Sequence, residues 1–148
     1  MPASLHHAQE YLRQQLGPAA LPSVKFVSTI EEAVREADLA IDCVPDELES
    51  KLEIFCLLDR MAPPRTVLMT PTKNMSIADL SSCTYRAEKC LAVVADVQEL
   101  TGAKLLEGAG GEEILLRTPP QVKAETVAFA QEFWEAIGFA PRFEAEQT

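Results

Sequence analysis

Six glycines serve 148 residues, and none lies between Gly17 and Gly102. Such a chain has no glycine-rich turn joining a first strand to a helix, and so no backbone cradle for a diphosphate. Histidine is scarcer: His6 and His7 stand side by side near the N-terminus and nowhere else. The four cysteines, Cys43, Cys56, Cys83 and Cys90, include no Cys-x-x-Cys pair, and no histidine sits near them at zinc-ligand spacing. Zinc knuckles and dithiol redox motifs are thereby excluded, and four structural thiols in a reducing compartment are expected. No apolar run approaches the roughly 18 residues of a membrane span. The opening "MPASLHHAQEYLRQQLG" lacks the charged-then-apolar order of a secretory signal. A cytoplasmic protein is the expectation. Basic residues are also few, 13 against 23 acidic, for a formal charge of −10. That balance excludes a nucleic-acid surface and broad attraction to anionic membranes.

What remains is an ordinary globular composition, 47% apolar, in a length that fits one domain over residues 1–148. Strand and helix signals alternate along it. Residues 8–16 predict a short helix stopped by Gly17 and Pro18, and "VKFVS" (24–28) predicts a short strand. Thr29 with Glu32 spells a capping box for a helix to about Ala37. The apolar run 39–44, broken by Asp42, predicts a strand covered on both faces. A helix from about Asp46 to Met61 ends before "APPR", where two prolines forbid continuation.

"TVLMT" (66–70) and "CLAVVA" (90–95) predict two further buried strands, separated by the loop "PTKNMS" and a short helix that Ser76 caps. Strands and helices in this rhythm imply right-handed crossovers and a mostly parallel sheet. The rhythm then changes. "AKLLEGAGGEEILLRT" predicts a β-hairpin turning on Gly108, Gly110 and Gly111. A helix follows over about 123–137, with Val127, Ala130, Trp134 and Ile137 on one face and Gly138 as its stop. "FAPRFE" predicts a final edge strand, because Pro141 cannot donate to a ladder.

Two stretches carry a resemblance: "STIEEAVREADLAIDCVPDELESKLEIFCLLDRMAPPRTVLMTPTKNMSIADL" and "EILLRTPPQVKAETVAFAQEFWEAIGFAPRF". In their order of helices, strands and loops they resemble the NAD-binding domain of the 3-hydroxyacyl-CoA dehydrogenases. The most specific block is "ADLAIDCVPDELESKLEIF". The resemblance covers residues 24–144 and leaves residues 1–23 as a divergent N-terminal segment. It implies a partial, Rossmann-like α/β domain of three layers, lacking the first β-α-β unit and its glycine-rich loop, without the family's C-terminal helical domain.

The resemblance also implies roles for residues. Asp46 and Lys51 fall where the family sets an acidic residue and a lysine beside the nicotinamide ribose of NAD, and Thr70 lies at the same strand end. A carboxylate there can accept from ribose hydroxyls, and a lysine one helical turn on can donate. Lys73 stands at the position of a serine that orients substrate. Ala95 stands where the family's catalytic histidine belongs, and alanine cannot accept a proton. The glutamate that partners this histidine is matched by Glu107, or equally by Glu112 or Glu113.

Weak or absent NAD binding is therefore expected, and a catalytically silent relic or truncated domain of fatty-acid metabolism type. Two other readings stay open: a non-enzymatic module binding an acyl-CoA, a dinucleotide or a partner protein, and an enzyme using Lys73, Asp96 or a hairpin glutamate in place of the histidine. Without the first β-α-β unit, strand 39–44 becomes an unpaired apolar edge. Such an edge invites a homodimer, cover by the N-terminal helix, or poor solubility.

Overall fold

In the computed structural model, which describes residues 2–16, 23–100 and 111–146, the alternation of strand and helix signals becomes one five-stranded sheet. In chain order the elements are α1 (Pro2–Leu16), α2 (Ile30–Val34), β1 (Leu39–Ile41), α3 (Leu48–Met61), β2 (Val67–Pro71), α4 (Ile77–Ser81), β3 (Cys90–Val93), α5 (Val97–Leu100), β4 (Glu112–Thr118), α6 (Ala124–Ala136) and β5 (Phe139–Ala145). The strands lie in the order β1-β2-β3-β4-β5. β1, β2 and β3 run parallel, β4 is antiparallel to β3, and β5 is parallel to β4. This is the mostly parallel α/β sheet expected.

Two apolar layers sandwich the central strands. Successive strand side chains point to opposite faces, so Ala40, Leu68, Cys90 and Ala92 meet Val34, Phe55, Leu58 and Leu80 on one side. On the other, Val67, Met69, Leu91, Val93, Ile114 and Leu116 meet Ala130 and Trp134. Every residue of β2 and β3 is buried, which is why both read as unbroken apolar runs. β5, at the far edge, is half-buried or exposed along its length and accommodates Pro141.

Local chemistry sets the element ends. The Thr29 hydroxyl accepts from the Glu32 amide at 3.2 Å and starts α2. On α3 the buried residues Lys51, Phe55 and Leu58 recur at helical spacing, and Pro63 and Pro64 follow its end. Gly138 stops α6 with φ 96°, a conformation that disfavours side chains with a Cβ. Trp134 packs edge-on against Phe133 and Phe139, with ring centroids 5.2 and 5.4 Å away. Arg86 ties the other end of α3 to the sheet. Its guanidinium donates to Asp59 Oδ1 at 2.8 Å and to the carbonyls of Asp59, Ala62, Pro63 and Thr66.

Three expectations are modified. Residues 24–28 form no strand, because among the described residues β1 is the end of the sheet and no neighbour offers them a ladder. β1 itself stops at Ile41, since Asp42 turns into a buried polar contact with Lys51. The antiparallel partner of β4 is β3; the first arm of the expected hairpin lies outside the described residues. None of the side chains described in α1, residues 6–14, is buried.

The cysteines are free thiols. Burial pushes Cys90 up to about 12 and Cys83 up to about 11, from an ordinary 9.0. A raised folded-state value means the unfolded chain releases these protons first, so stability is full below pH about 9 and falls as pH rises toward those values. Urea midpoints should drop between pH about 8 and pH about 11, and Cys90→Ala should flatten the drop. An unchanged slope in the variant would assign the alkaline loss to other groups.

Candidate functional site

The carboxyl ends of β1, β2 and β3 open on one side of the sheet, where a parallel α/β fold places ligands. A cavity of about 420 Å³ lies there, lined by Val44, Pro45, Asp46, Pro71, Ala95 and Asp96 among others. Asp46 is exposed at its rim. Its Oδ1 accepts from the Thr72 hydroxyl at 2.6 Å and its Oδ2 from the Lys73 amide at 3.3 Å. Both oxygens keep further lone pairs. One carboxylate thus fixes the β2–α4 loop and faces the cleft.

Lys51 is placed differently. It is 0% exposed, and its Nζ lies 2.7 Å from Asp42 Oδ1, whose side chain is 1% exposed. Asp42 interrupts the apolar run of β1 because this lysine, nine residues on, comes from α3 to meet it. Asp42 Oδ1 also accepts from the Val44 amide at 3.3 Å. Thr70 is buried on the same sheet face, since the parallel register that pairs Ile41 with Met69 carries on to Asp42 and Thr70. Among the described residues, the Thr70 hydroxyl and Asp42 Oδ2 find no hydrogen-bond partner. Asp46 is thus open to the cleft, while Lys51 and Thr70 lie beneath it.

Lys73 is exposed and held by two carboxylates. Its Nζ bonds Glu99 and lies 3.7 Å from Asp96 Oδ2. The bond to Glu99, with Asp96 adding to it, keeps the Lys73 ammonium above its ordinary value, and the same bond lowers Glu99. A lysine so held stays protonated and is a poor proton acceptor.

Ala95 is buried just past the end of β3, its amide bonded to the Val93 carbonyl at 2.9 Å. A second cavity, of about 280 Å³, runs from Ala95 past Glu99 and Leu100 to Glu112, Glu113 and Ile114. Glu113 pairs with Arg142 of β5 at 2.8 Å and points to solvent. Glu107 lies outside the described residues. Among the described residues no three His, Cys, Asp or Glu side chains are grouped to hold a metal ion, and no helix is long and apolar enough to cross a membrane.

Sequence reasoning missed two arrangements here. The pairing of Asp42 with Lys51 was signalled only by a lone acid inside an apolar strand. The role of Arg86 had no local signal, because its acceptors are mostly backbone carbonyls 20 to 27 residues away.

A mostly parallel sheet with its cleft at the strand ends defines a Rossmann-like α/β protein. Residues 4–138 match the family described as 3-hydroxyacyl-CoA dehydrogenase, NAD binding domain, and the chain belongs to that family. The match takes in most of the segment 1–23 that the sequence reading set apart. The L-carnitine dehydrogenase of Burkholderia mallei is 31% identical over 130 residues, 87% of this chain and 38% of that protein. A probable 3-hydroxybutyryl-CoA dehydrogenase of Bacillus subtilis is 30% identical over 70 residues, 47% of this chain and 24% of that protein. In fold, the chain is similar to a 3-hydroxyacyl-CoA dehydrogenase of Archaeoglobus fulgidus, with a TM-score of 0.77 at 18% identity over all of this chain and 47% of that one. The chain therefore spans under two fifths of the length of these two curated relatives.

Proposed function

We propose that this chain supplies the nicotinamide-ribose side of an NAD site and, by itself, carries out no dehydrogenation. The observation that carries the reading is the pair of neighbours at the strand ends: exposed Asp46 with free acceptor capacity, and buried Ala95 where a proton acceptor would be required. Asp46 faces the ribose hydroxyls. Lys51 and Thr70 contribute from below, Lys51 by holding Asp42 and hence the end of β1 in place. The described residues suit a ribose but not the diphosphate, since the glycines among them are Gly111 and Gly138, each at an end of β4 or β5. NAD, when bound, would accept a hydride; proton removal from an alcohol would need a group that Ala95 does not provide.

The family and the relatives suggest two substrate classes, a 3-hydroxyacyl-CoA thioester and L-carnitine. Lys73 would stand at the substrate side of the cleft, yet it is already committed to Asp96 and Glu99. These acidic neighbours disfavour the phosphates of a CoA and tolerate a quaternary ammonium. A binding or interaction module without chemistry is the second reading, favoured by the apolar edge of β1, which no strand among the described residues covers.

Calorimetric titration separates the halves of the site. Nicotinamide mononucleotide, which lacks the adenylate half, should bind about as weakly as NAD, with both dissociation constants near or above about 1 mM. Asp46→Ala should weaken both. A preference for NAD of about tenfold or more, roughly 1.4 kcal/mol, would mean that the chain holds the diphosphate after all.

A further inference from the structure

We propose that the open edge of β1 is the surface on which a second copy of this chain docks, with the two β1 strands pairing antiparallel across a twofold axis at Ile41. The proposal is independent of the reading of the cleft.

β1 ends the sheet, and no strand among the described residues pairs with its outer side. The bonds on the inner side settle which groups point outward. The Asp42 amide donates to Met69, and the Asp38 carbonyl accepts from Val67, so even-numbered residues face β2. The N–H and C=O groups of Leu39, Ile41 and Cys43 therefore face away from the sheet, as an unused ladder. Beside them runs a groove of about 300 Å³, with Ile30, Val34, Ile54 and Leu58 among its lining and Ile41 36% exposed. An apolar groove along an unused ladder fits an extended apolar strand better than a helix or a small polar ligand.

Charge selects a second copy as the source of that strand. The chain carries a net −10, so most of its faces repel a copy. The surface adjoining the groove is different: Lys25, Glu32, Arg35 and Glu36 line it, two of each sign. A twofold axis can bring the bases of one protomer to the acids of its partner, which makes this face self-complementary.

Register points the same way. An axis at Ala40 or Asp42 pairs only two of the three outward-facing residues with one another, Leu39 with Ile41 or Ile41 with Cys43, whereas an axis at Ile41 engages all three. Ile41 then exchanges both bonds with the partner's Ile41, and Leu39 pairs with the partner's Cys43. Asp42 falls opposite the partner's Ala40, a small neighbour, and its charge is already met by Lys51. No like charges stand directly opposed on the paired strands. The outcome is a continuous ten-stranded sheet.

Sedimentation equilibrium of the full chain at about 100 μM, roughly a hundredfold above a micromolar dissociation constant, should give twice 16.2 kDa. Ile41→Pro removes one outward N–H and no bond within the chain, and should give a monomer with unchanged far-ultraviolet dichroism. A monomeric parent chain, a dimer that persists in Ile41→Pro, or a mass that is not a multiple of the chain's own would each overturn the proposal. Should the variant lose its dichroism, hydrogen exchange of the parent decides. Amides of Leu39, Ile41 and Cys43 that exchange slowly when concentrated and faster on dilution support the edge pairing; fast exchange at every concentration refutes it.

Discussion

Replacing Lys51 by alanine should destabilise the fold by about 3–5 kcal/mol, the cost of leaving a buried carboxylate without its counter-charge. Lys51 is fully buried, its ammonium sits 2.7 Å from Asp42 Oδ1, and the second carboxylate oxygen has no partner among the described residues. The loss comes mostly from the stranded charge of Asp42, not from the net worth of the pair. The double variant Lys51→Met with Asp42→Asn should therefore recover most of it, although either single change is severe. Urea denaturation of the four proteins in this cycle reads the coupling directly. A single-variant loss below about 1 kcal/mol would show that water reaches the pair and that it behaves as a surface bridge.

The second large effect is expected at Arg86. Its five donor contacts run to the Asp59 carboxylate and to four carbonyls at and beyond the end of α3. Both side chains of the Arg86–Asp59 pair are under a tenth exposed. Arg86→Ala removes the charge opposite Asp59 and leaves buried carbonyls unpaired, so about 3–5 kcal/mol should be lost. Arg86→Lys keeps the charge, but three donors on a compact ammonium cannot reach the same acceptors, and most of the loss should remain. If lysine restored full stability, charge alone would account for the contact and the fork geometry would be irrelevant. Thermal melting of both variants beside the parent distinguishes these outcomes.

These two anchors also explain what the sequence discloses and what it hides. Features that depend on neighbours within one turn are legible. Thr29 with Glu32 marks the start of α2, Gly138 the stop of α6, and the apolar runs of β2 and β3 their burial on both faces. Pro141 correctly places β5 at an edge. Features that depend on a partner far along the chain are not. Residues 24–28 have strand composition, yet a strand requires a neighbour, and among the described residues the sheet ends at β1. Lys51 looks like an ordinary helix lysine until α3 is laid over the end of β1. Arg86 finds its acceptors through tertiary packing alone.

The candidate site divides along the same line. The placement of Asp46 and Ala95 at the strand-end cleft is legible, because resemblance to a family fixes their position in a loop or at a strand end; the roles given to them are part of the proposal. The burial of Lys51 and Thr70 is invisible from spacing, and so is the commitment of Lys73 to Asp96 and Glu99, which join it across the cleft. Glu113 illustrates the limit of pattern alone. The inward residues of β4 are Ile114, Leu116 and Thr118, so Glu113 alternates outward to Arg142.

The most direct measurement follows NADH consumption by the purified full chain with acetoacetyl-CoA, and NAD reduction with L-carnitine. If Ala95 holds the proton acceptor's place as proposed, neither rate should rise above the blank at any concentration of the chain. A rate proportional to the amount of chain and abolished by Asp46→Ala would contradict this, and would require another group in the cleft to take the alcohol proton.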